Sequence, residues 1–417
     1  MAEPRPISFD APLGRRIIDL HVWAVRQGLA GAAAEELFAG FCQRLADAGV
    51  PLWRAFTAMR TLHPQWGGYG YSWQREQDAI ELQQFGRTDG PAWLESPFAY
   101  LFQRSRTRAG ASEPWLHLRR RLTGPDAQLD FPVLERFAAE GGSDYFAEIV
   151  RFGAKDDLSH GTGAVYSFAT DRPGGFHDDD LALLQAVLPA LSLAMMTYAG
   201  HTIASSLLAA YLGNDAGRRV HSGEIERGSA ESLRAVLWYA DIRGFTGIAD
   251  ATAGDAIVKL LNEVFETLTA SLRRRGGQVV KFMGDGMLAT FPLGEKGGEK
   301  ICREALDAAA EAQRALDRLN SMRAAAGKPV ADVDLALHIG EVLYGNVGAA
   351  DRLDFTVIGP AVNEVARIET LCERLGHRIL VSAELAAAVG DSHRLEPLGS
   401  HQLRGVSEPR AIYAFEF

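Results

Sequence analysis

Residues 278–291 read QVVKFMGDGMLATF. Two apolar runs joined by an Asp-Gly dipeptide are a strong local signal for a β-hairpin, in which the glycine supplies the positive φ that a tight turn requires. The pattern therefore predicts two antiparallel strands with Asp285 at the turn. Lys281 does not fit this pattern, because lysine is rarely placed inside an apolar strand unless its ammonium group has a specific partner.

The hairpin lies within a regular order of elements. Apolar runs bounded by turn residues read as strands, and apolar residues at helical spacing read as helices. In chain order these patterns predict a strand (234–240), a helix (257–272), the hairpin (278–291), a helix (299–326), two strands (333–339 and 343–347) and a helix (360–375). This order predicts an α+β fold, a mixed sheet with helices packed on one face.

Two aspartates each end an apolar strand at a turn, Asp241 in YADIRGFT and Asp285 in KFMGDGM. Adjacent central strands would place both carboxylates at one edge of the sheet. Two carboxylates with open coordination positions suit Mg²⁺ when phosphate oxygens complete its shell. Either aspartate alone is more typical of a turn or a helix cap. The pair, with Gly244-Phe245-Thr246 after the first aspartate, predicts a metal site.

The helix that starts at Pro360 carries the sequence VNEVARIE, in which Asn363 and Arg367 are four residues apart and share one face. An amide and a guanidinium directed at one place can hold a ribose and a phosphate group during transfer. Arg352 and Arg404 offer further phosphate contacts. A solvated helix surface and ordinary surface loops are the alternative interpretation of these four residues.

The motifs DIRGFT, KFMGD and GPAVNEVAR resemble, in order and spacing, those of the catalytic domain of class III adenylate cyclases, and the resemblance covers residues 233–417. It implies a ferredoxin-like or palm-like mixed sheet. It also implies a phosphorus-oxygen lyase that converts ATP to 3′,5′-cyclic AMP and pyrophosphate. The reaction is in-line attack of the ribose 3′-hydroxyl on the α-phosphorus.

The same resemblance implies the ligands of the metal ions. Asp241 and Asp285 would bind two Mg²⁺ or Mn²⁺ ions in each active site, with help from the backbone carbonyl of Ile242.

The resemblance also implies roles for the polar residues downstream. Asn363 would orient the ribose, and Arg367 would stabilise charge that develops around the α-phosphate. Arg352 and Arg404 would hold the outgoing phosphates, although many relatives carry Lys at the position of Arg404.

Lys281 and Thr356 are the positions that would read the base. Adenine presents a hydrogen-bond acceptor at N1 and a donor at its 6-amino group. An ammonium group and a hydroxyl group can together form hydrogen bonds with both. In this family Lys281 resembles the adenylate type, because guanylate cyclases usually carry Glu there. Thr356 departs from the Asp of animal enzymes and is similar to a bacterial subgroup that has Thr.

Active sites of this family are built across a dimer interface. One protomer gives the aspartates, and the other gives the lysine, threonine, asparagine and helix arginine. Because this chain carries both sets, the resemblance implies a homodimer with two equivalent sites.

The sequence pattern of the N-terminal half predicts a second domain, of α/β type. A strand at 163–169, a turn at 171–175 and an apolar helix that begins near Leu181 resemble the end of GAF-type sensory domains. The resemblance covers residues 1–200 and implies a regulatory domain with a possible small-molecule ligand. Residues 201–232 are predicted to form a helical connector and linker before the catalytic domain at 233–417.

Composition and charge exclude some classes of partner. The chain has 417 residues and a net charge of -10, which gives no general attraction to nucleic acid or anionic lipid. Three widely spaced cysteines predict free thiols in a reducing compartment. No apolar leader is visible at the N-terminus, and the longest apolar segment contains Gln185 and Pro189. We therefore expect a cytoplasmic protein without a membrane span.

Two other functions are consistent with parts of the pattern. The alternatives are a catalytically inactive nucleotide-binding regulator and a guanylate cyclase. An inactive regulator should have lost a metal aspartate or the pair Asn363 and Arg367, and the sequence keeps them all. A cyclic-dinucleotide synthase is disfavoured because the motif GGDEF is absent.

Overall fold

The protein is described by a computed structural model at residues 12–63, 66–77, 80–88, 90–105, 116–152, 163–294 and 298–417. The expectation about the N-terminal stretch falls on residues 1–11, which lie outside the described residues. Contacts between residues divide the chain into two compact units, Met1–Leu207 and Leu208–Phe417.

The first unit is an antiparallel sheet with helices on both faces. Its strands are β1 (Arg54–Arg60), β2 (Gly68–Gln74), β3 (Glu81–Phe85), β4 (Leu116–Arg121), β5 (Asp144–Arg151) and β6 (Gly163–Thr170), in the order β3-β2-β1-β6-β5-β4. Its helices are α1 (Pro12–Leu29), α2 (Ala34–Asp47), α3 (Pro91–Leu94), α4 (Pro97–Ser105), α5 (Pro132–Ala139) and α6 (Asp178–Leu212). The helices α1, α2 and α6 cover one face, and α4 and α5 pack against the other.

Helix α6 is longer than the sequence predicts. It runs for 35 residues with Pro189 inside it. Within the described ranges it is the one helix long and apolar enough to cross a membrane, but half of its most apolar segment is buried against the protein, as in a core helix. Side chains such as Leu184, Leu188 and Leu191 hold it on the sheet.

The second unit contains a mixed sheet. Its strands are β7 (Ala230–Ile242), β8 (Gln278–Met283), β9 (Gly286–Pro292), β10 (Val333–Gly348), β11 (Leu353–Ile358), β12 (Ile379–Ser382), β13 (Leu395–His401) and β14 (Arg410–Phe415). Their order is β13-β14-β12-β10-β7-β9-β8, and β11 pairs with β10. Strands β10 and β12 are parallel, and the other pairs are antiparallel. Its helices are α7 (Asn214–His221), α8 (Phe245–Asp250), α9 (Gly254–Arg274), α10 (Gly298–Ala325), α11 (Pro360–Glu369), α12 (Leu371–Leu375) and α13 (Ala383–Val389).

Helices cover both faces of this sheet, so the prediction of one covered face is wrong. The core under α9, α10 and α13 takes Val236, Trp238 and Ala240 from β7. The core under α11 and α12 takes Leu237 from the same strand. A strand that is apolar on both sides must be covered on both sides. The continuous apolar run at 235–240 therefore requires helices above and below the sheet.

The three cysteines lie in three different cores. Cys42 is buried under α2 in the first unit. Cys302 belongs to the core beneath α10, and Cys372 to the core beneath α12. All three are free thiols, as predicted.

Candidate active site

Asp241 lies near the end of β7, on the face of the sheet covered by α11. Side chains alternate along a strand, and Leu237 on that face belongs to the core under α11. Gly286 makes room for the carboxylate, because a Cβ atom at this glycine would lie 2.8 Å from Asp241 Oδ1. Ile242, the next residue, is buried on the opposite face.

Asp285 occupies the turn of the predicted hairpin. Met283 pairs with Gly286, so Gly284 and Asp285 are the two central residues of the turn. Gly284 has a φ of 66°, whereas Gly286 has no positive φ. The glycine before the aspartate, and not the glycine after it, therefore supplies the left-handed conformation.

The two aspartates lie close enough to influence each other. Partial burial, and then the negative charges of Asp285 and Asp334, raise the pKa of Asp241 to about 6. Asp334 is its direct cross-strand neighbour on β10, and Arg243 binds Asp334 with a 2.9 Å bond from Nε to Oδ2. Acidic groups thus surround Asp241, and Arg243 compensates the negative charge of one of them, Asp334.

Lys281 is joined to strand β11. Its Nζ donates a 2.6 Å hydrogen bond to Asp354 Oδ2. Thr356 lies two residues after Asp354, on the same side of the strand. A register shift between Val279 and Lys281 marks a β-bulge, a feature that re-aims side chains. The structure thus joins Lys281 to the strand that carries Thr356. In the described chain no hydrogen bond or ion pair links Lys281 to Asp285.

Helix α11 carries Asn363 on its exposed side and Arg367 at a half-buried position. Gly340 of β10 allows the helix to approach the sheet, because a Cβ atom there would lie 2.3 Å from Ala361 Cβ. Arg410 of β14 also fixes the helix, with a 2.7 Å hydrogen bond from its Nε to Glu364 Oε1. These contacts set the direction in which Asn363 and Arg367 point.

The other two arginines are exposed, Arg352 before β11 and Arg404 before Gly405. Gly405 lies beside α11, because a Cβ atom there would be 3.6 Å from the Arg367 guanidinium nitrogens. The loop that bears Arg404 therefore reaches Arg367. Arg352 is close enough to help lower the pKa of Asp354, although the hydrogen bond from Lys281 has the larger effect.

Comparisons with known proteins match the C-terminal part of the chain to one family. A family model described as the adenylate and guanylate cyclase catalytic domain matches residues 230–416. The C-terminal unit is a class III nucleotidyl cyclase domain.

Individual relatives match the same part of the chain. The adenylate cyclase of Anabaena cylindrica is 33% identical over 196 residues, which cover 45% of this chain and 38% of that protein. Adenylate cyclase 1 of Rhizobium meliloti (strain 1021) is 28% identical over 197 residues, 46% of this chain and 29% of that protein. The crystal structure of the adenylyl cyclase CyaB from P. aeruginosa has 26% identity and a TM-score of 0.42, covering 45% of this chain and 96% of that one. The chain spans well under half the length of these two curated relatives.

The residues at the acidic end of the cyclase site fit a divalent cation. The available ligands are carboxylate and carbonyl oxygens, which Mg²⁺ prefers. Within the described residues no group of three or more His, Cys, Asp and Glu side chains is placed to hold a metal. Two carboxylates alone would leave coordination positions for phosphate oxygens. Partial burial, and then the negative charges of Asp285 and Asp334, raise the pKa of Asp241, and a cation bound there would oppose this shift.

Glu369 was missed by the sequence reasoning. It ends α11, and partial burial together with Asp241, Asp334 and Asp285 raises its pKa to about 8. Its position two residues after Arg367 places it on a different side of the helix from that arginine. No local motif marks it, because only the packing of α11 on the sheet brings it to the aspartates.

Proposed function

We propose that this protein is an adenylate cyclase that converts ATP to 3′,5′-cyclic AMP and pyrophosphate. The observation that carries the proposal is the hydrogen bond that joins the Lys281 ammonium group to the strand bearing Thr356, in a cyclase domain that keeps both aspartates. An ammonium donor matches the N1 acceptor of adenine, whereas guanine presents an N–H donor at N1. The names of the two relatives, both adenylate cyclases, support the same substrate.

Each site residue has a task in this reaction. Asp241, Asp285 and the backbone carbonyl of Ile242 would hold two divalent cations, which would supply charge neutralisation at the α-phosphate. Asn363 orients the ribose so that its 3′-oxygen is in line with the bond between the α-phosphorus and the leaving pyrophosphate.

The arginines compensate negative charge in the transition state. Arg367 stabilises the negative charge at the α-phosphate while the 3′-oxygen bonds to the α-phosphorus and the bond from the α-phosphorus to pyrophosphate breaks. The proton of the 3′-hydroxyl passes to solvent. Arg352 and Arg404 hold the departing phosphates by charge-assisted hydrogen bonds.

A homodimer with sites at the interface is part of the proposal. Large apolar side chains are exposed on the hairpin and on the arm formed by β10 and β11, namely Phe282 (50% exposed), Met283 (37%), Leu343 (47%), Val347 (37%) and Ile358 (40%). Exposed apolar groups on neighbouring elements indicate a protein interface. This surface adjoins Lys281 and Thr356, as a site shared between protomers requires.

The first unit is proposed as a GAF-like regulatory domain that binds a small polar molecule. A cavity of about 430 Å³ lies between the sheet and α5. Arg54 lines it, with a buried Nε that has no hydrogen-bond partner. Gln83, Arg136 and Ser167 add polar groups to the wall.

We also propose a cytoplasmic location without membrane association. The acidic composition and the three free, buried thiols support this location. The burial of half of the most apolar part of α6 supports a core helix and not a membrane span.

The test is to incubate the purified full chain with ATP or GTP in the presence of Mg²⁺ or Mn²⁺ and to identify the products. We expect cyclic AMP from ATP. Asp285→Asn should lower the rate by about a thousandfold or more, because a metal ligand is lost. Asp250→Asn changes an exposed carboxylate in α8 and is the matched control. Cyclic GMP as the main product indicates a guanylate cyclase, and no product from either nucleotide indicates an inactive regulator.

A further inference from the structure

Lys281 has a partner that the family motifs do not name. Its ammonium group donates to Asp354 Oδ2 at 2.6 Å, and both side chains are about half exposed, 45% and 50%. An exposed ion pair of this kind adds little to stability, because water screens the charges. The stability of the folded protein therefore explains only weakly why a carboxylate occupies position 354.

Strand β11 holds Asp354 in a defined direction. Phe355 and Val357 point to the other side of the strand and are buried, at 7% and 4% exposure. The ring of Phe355 packs edge-on against Tyr344, with 4.8 Å between the ring centres. Because side chains alternate, this anchoring presents Asp354 and Thr356 together on the opposite side.

The carboxylate also has an electrostatic cost in a nucleotide site. ATP is a polyanion, so a negative group beside its base weakens binding unless the group does something else. Asp354 occupies one of the three N–H donors of Lys281 and leaves the others for the base. The lysine side chain is flexible, so its ammonium group has a defined position only when such a contact holds it.

We propose that Asp354 is a positioning residue for base recognition, which fixes the Lys281 ammonium beside Thr356 so that it meets N1 of adenine. The inference rests on the proposed function. It extends the base-reading set from two residues to three. Removing the contact frees Lys281 to adopt other rotamers, so adenine loses an ordered donor.

The sign of one kinetic change distinguishes this role from a simple surface charge. For Asp354→Asn, we expect the KM for ATP to rise about fivefold to tenfold while kcat stays within about twofold. The ratio of kcat/KM for ATP to that for GTP should fall by a similar factor. If Asp354 only repelled the nucleotide, the same substitution would lower the KM for ATP.

Two further variants complete the experiment. Asp351→Asn removes an exposed negative charge three residues away and should leave the ATP to GTP ratio unchanged. Asp354→Glu keeps the charge and should recover part of the lost preference. A melting temperature of Asp354→Asn close to that of the original protein is expected from the exposure of the pair.

Failure of the inference and failure of the proposed function give different results. An active protein in which Asp354→Asn leaves the ATP to GTP ratio unchanged, or lowers the KM for ATP, overturns the inference alone. If the original protein forms no cyclic nucleotide, the proposed function fails. Competition of ATP and GTP against a fluorescent ATP analogue then decides the inference. Loss of adenine preference in Asp354→Asn supports it, and unchanged preference overturns it.

Discussion

Glu148 of β5 is a carboxyl group inside a core. It is fully buried, and neither of its side-chain oxygens has a hydrogen-bond partner of normal geometry. Tyr166 is its cross-strand neighbour on β6, and Tyr166 in turn pairs with Thr57 of β1. Burial raises the pKa of Glu148 to about 8, and the nearby Gln185 of α6 opposes only part of this shift. The side chain therefore stays neutral in the folded protein at pH 7.

This position predicts how the stability of the first unit depends on pH. The pKa is raised from 4.5, so between pH 4.5 and about 8 the folded state holds a proton that the unfolded state releases. Stability is therefore greatest below pH 4.5 for this group and falls as pH rises through the folded pKa, by up to about 1.4 kcal/mol per pH unit. Glu148→Gln should remove this slope and be the more stable protein at pH 8.

The measurement uses urea unfolding of the full chain, followed by tryptophan fluorescence from pH 5 to pH 9. All but one of the seven tryptophans lie before residue 208, so the signal reports mainly on the first unit. Glu135→Gln changes an exposed carboxylate of α5 and is the control. Equal pH slopes for Glu148→Gln and the original protein would show that Glu148 ionises as freely in the folded state as in the unfolded one.

Some site residues could be predicted from the sequence and others could not. Asp241, Asp285, Asn363 and Arg367 stand in contiguous motifs, and the motif order carries their spacing. Their roles remain predictions until the variants are assayed. Glu369 and Asp354 could not be found in this way, because long-range packing brings them to their partners.

At the scale of elements, the hairpin was predicted correctly but the residue that makes its turn was not. The Asp-Gly rule points to Gly286, whereas Gly284 carries the positive φ. The absence of a side chain at Gly286 has a different explanation, because it leaves space for Asp241 Oδ1. A local turn rule cannot detect a requirement that comes from a neighbouring strand.

Gly286→Ala tests this reason. The added methyl group would lie 2.8 Å from Asp241 Oδ1 and 3.3 Å from the carbonyl oxygen of Ala240, so the carboxylate must move. We expect kcat to fall on the order of a hundredfold with the fold retained, because small displacements of site groups have large effects. Circular dichroism checks the fold, and cyclic AMP production gives the rate. Gly254→Ala places a methyl group in open space and should keep full activity, and full activity in Gly286→Ala would mean that Asp241 tolerates displacement.

Other element predictions failed where one segment was read in isolation. Two strands were expected near 333–339 and 343–347, but β10 is one strand from Val333 to Gly348. It pairs with β7 on one side along most of its length, and with β11 and β12 elsewhere. Gly340 and Gly345 look like strand breaks in the sequence. Both allow close approach, to Ala361 and to the backbone at Ser229 respectively.

At the scale of the whole molecule, the proposed shared site predicts complementation between two inactive proteins. Asp285→Asn damages the metal half of a site, and Arg367→Ala damages the transition-state half. In a mixed dimer one site carries both lesions and the other is intact. With random exchange of equal amounts, about half of the dimers are mixed, so activity should recover to roughly a quarter of the original if the pairing is a closed two-fold dimer.

The control for this experiment is the double mutant mixed with itself, which should stay inactive. Subunit exchange is demonstrated separately by mass spectrometry of tagged and untagged chains. Absence of recovery in a mixture that has exchanged would place Lys281 and Asp285 in the same pocket of one protomer. The proposal of an interface site would then be wrong.

The distribution of the three buried cysteines makes each core separately observable. A buried thiol reacts with an alkylating reagent only when its surroundings open, so the labelling rate measures how often that core opens. Cys42 reports on the first unit, while Cys302 and Cys372 report on opposite faces of the cyclase sheet. Peptide mass spectrometry can time all three in one sample of the unaltered protein. A ligand that binds the first unit should slow the labelling of Cys42, and a nucleotide bound to the second unit should slow the labelling of Cys302 or Cys372.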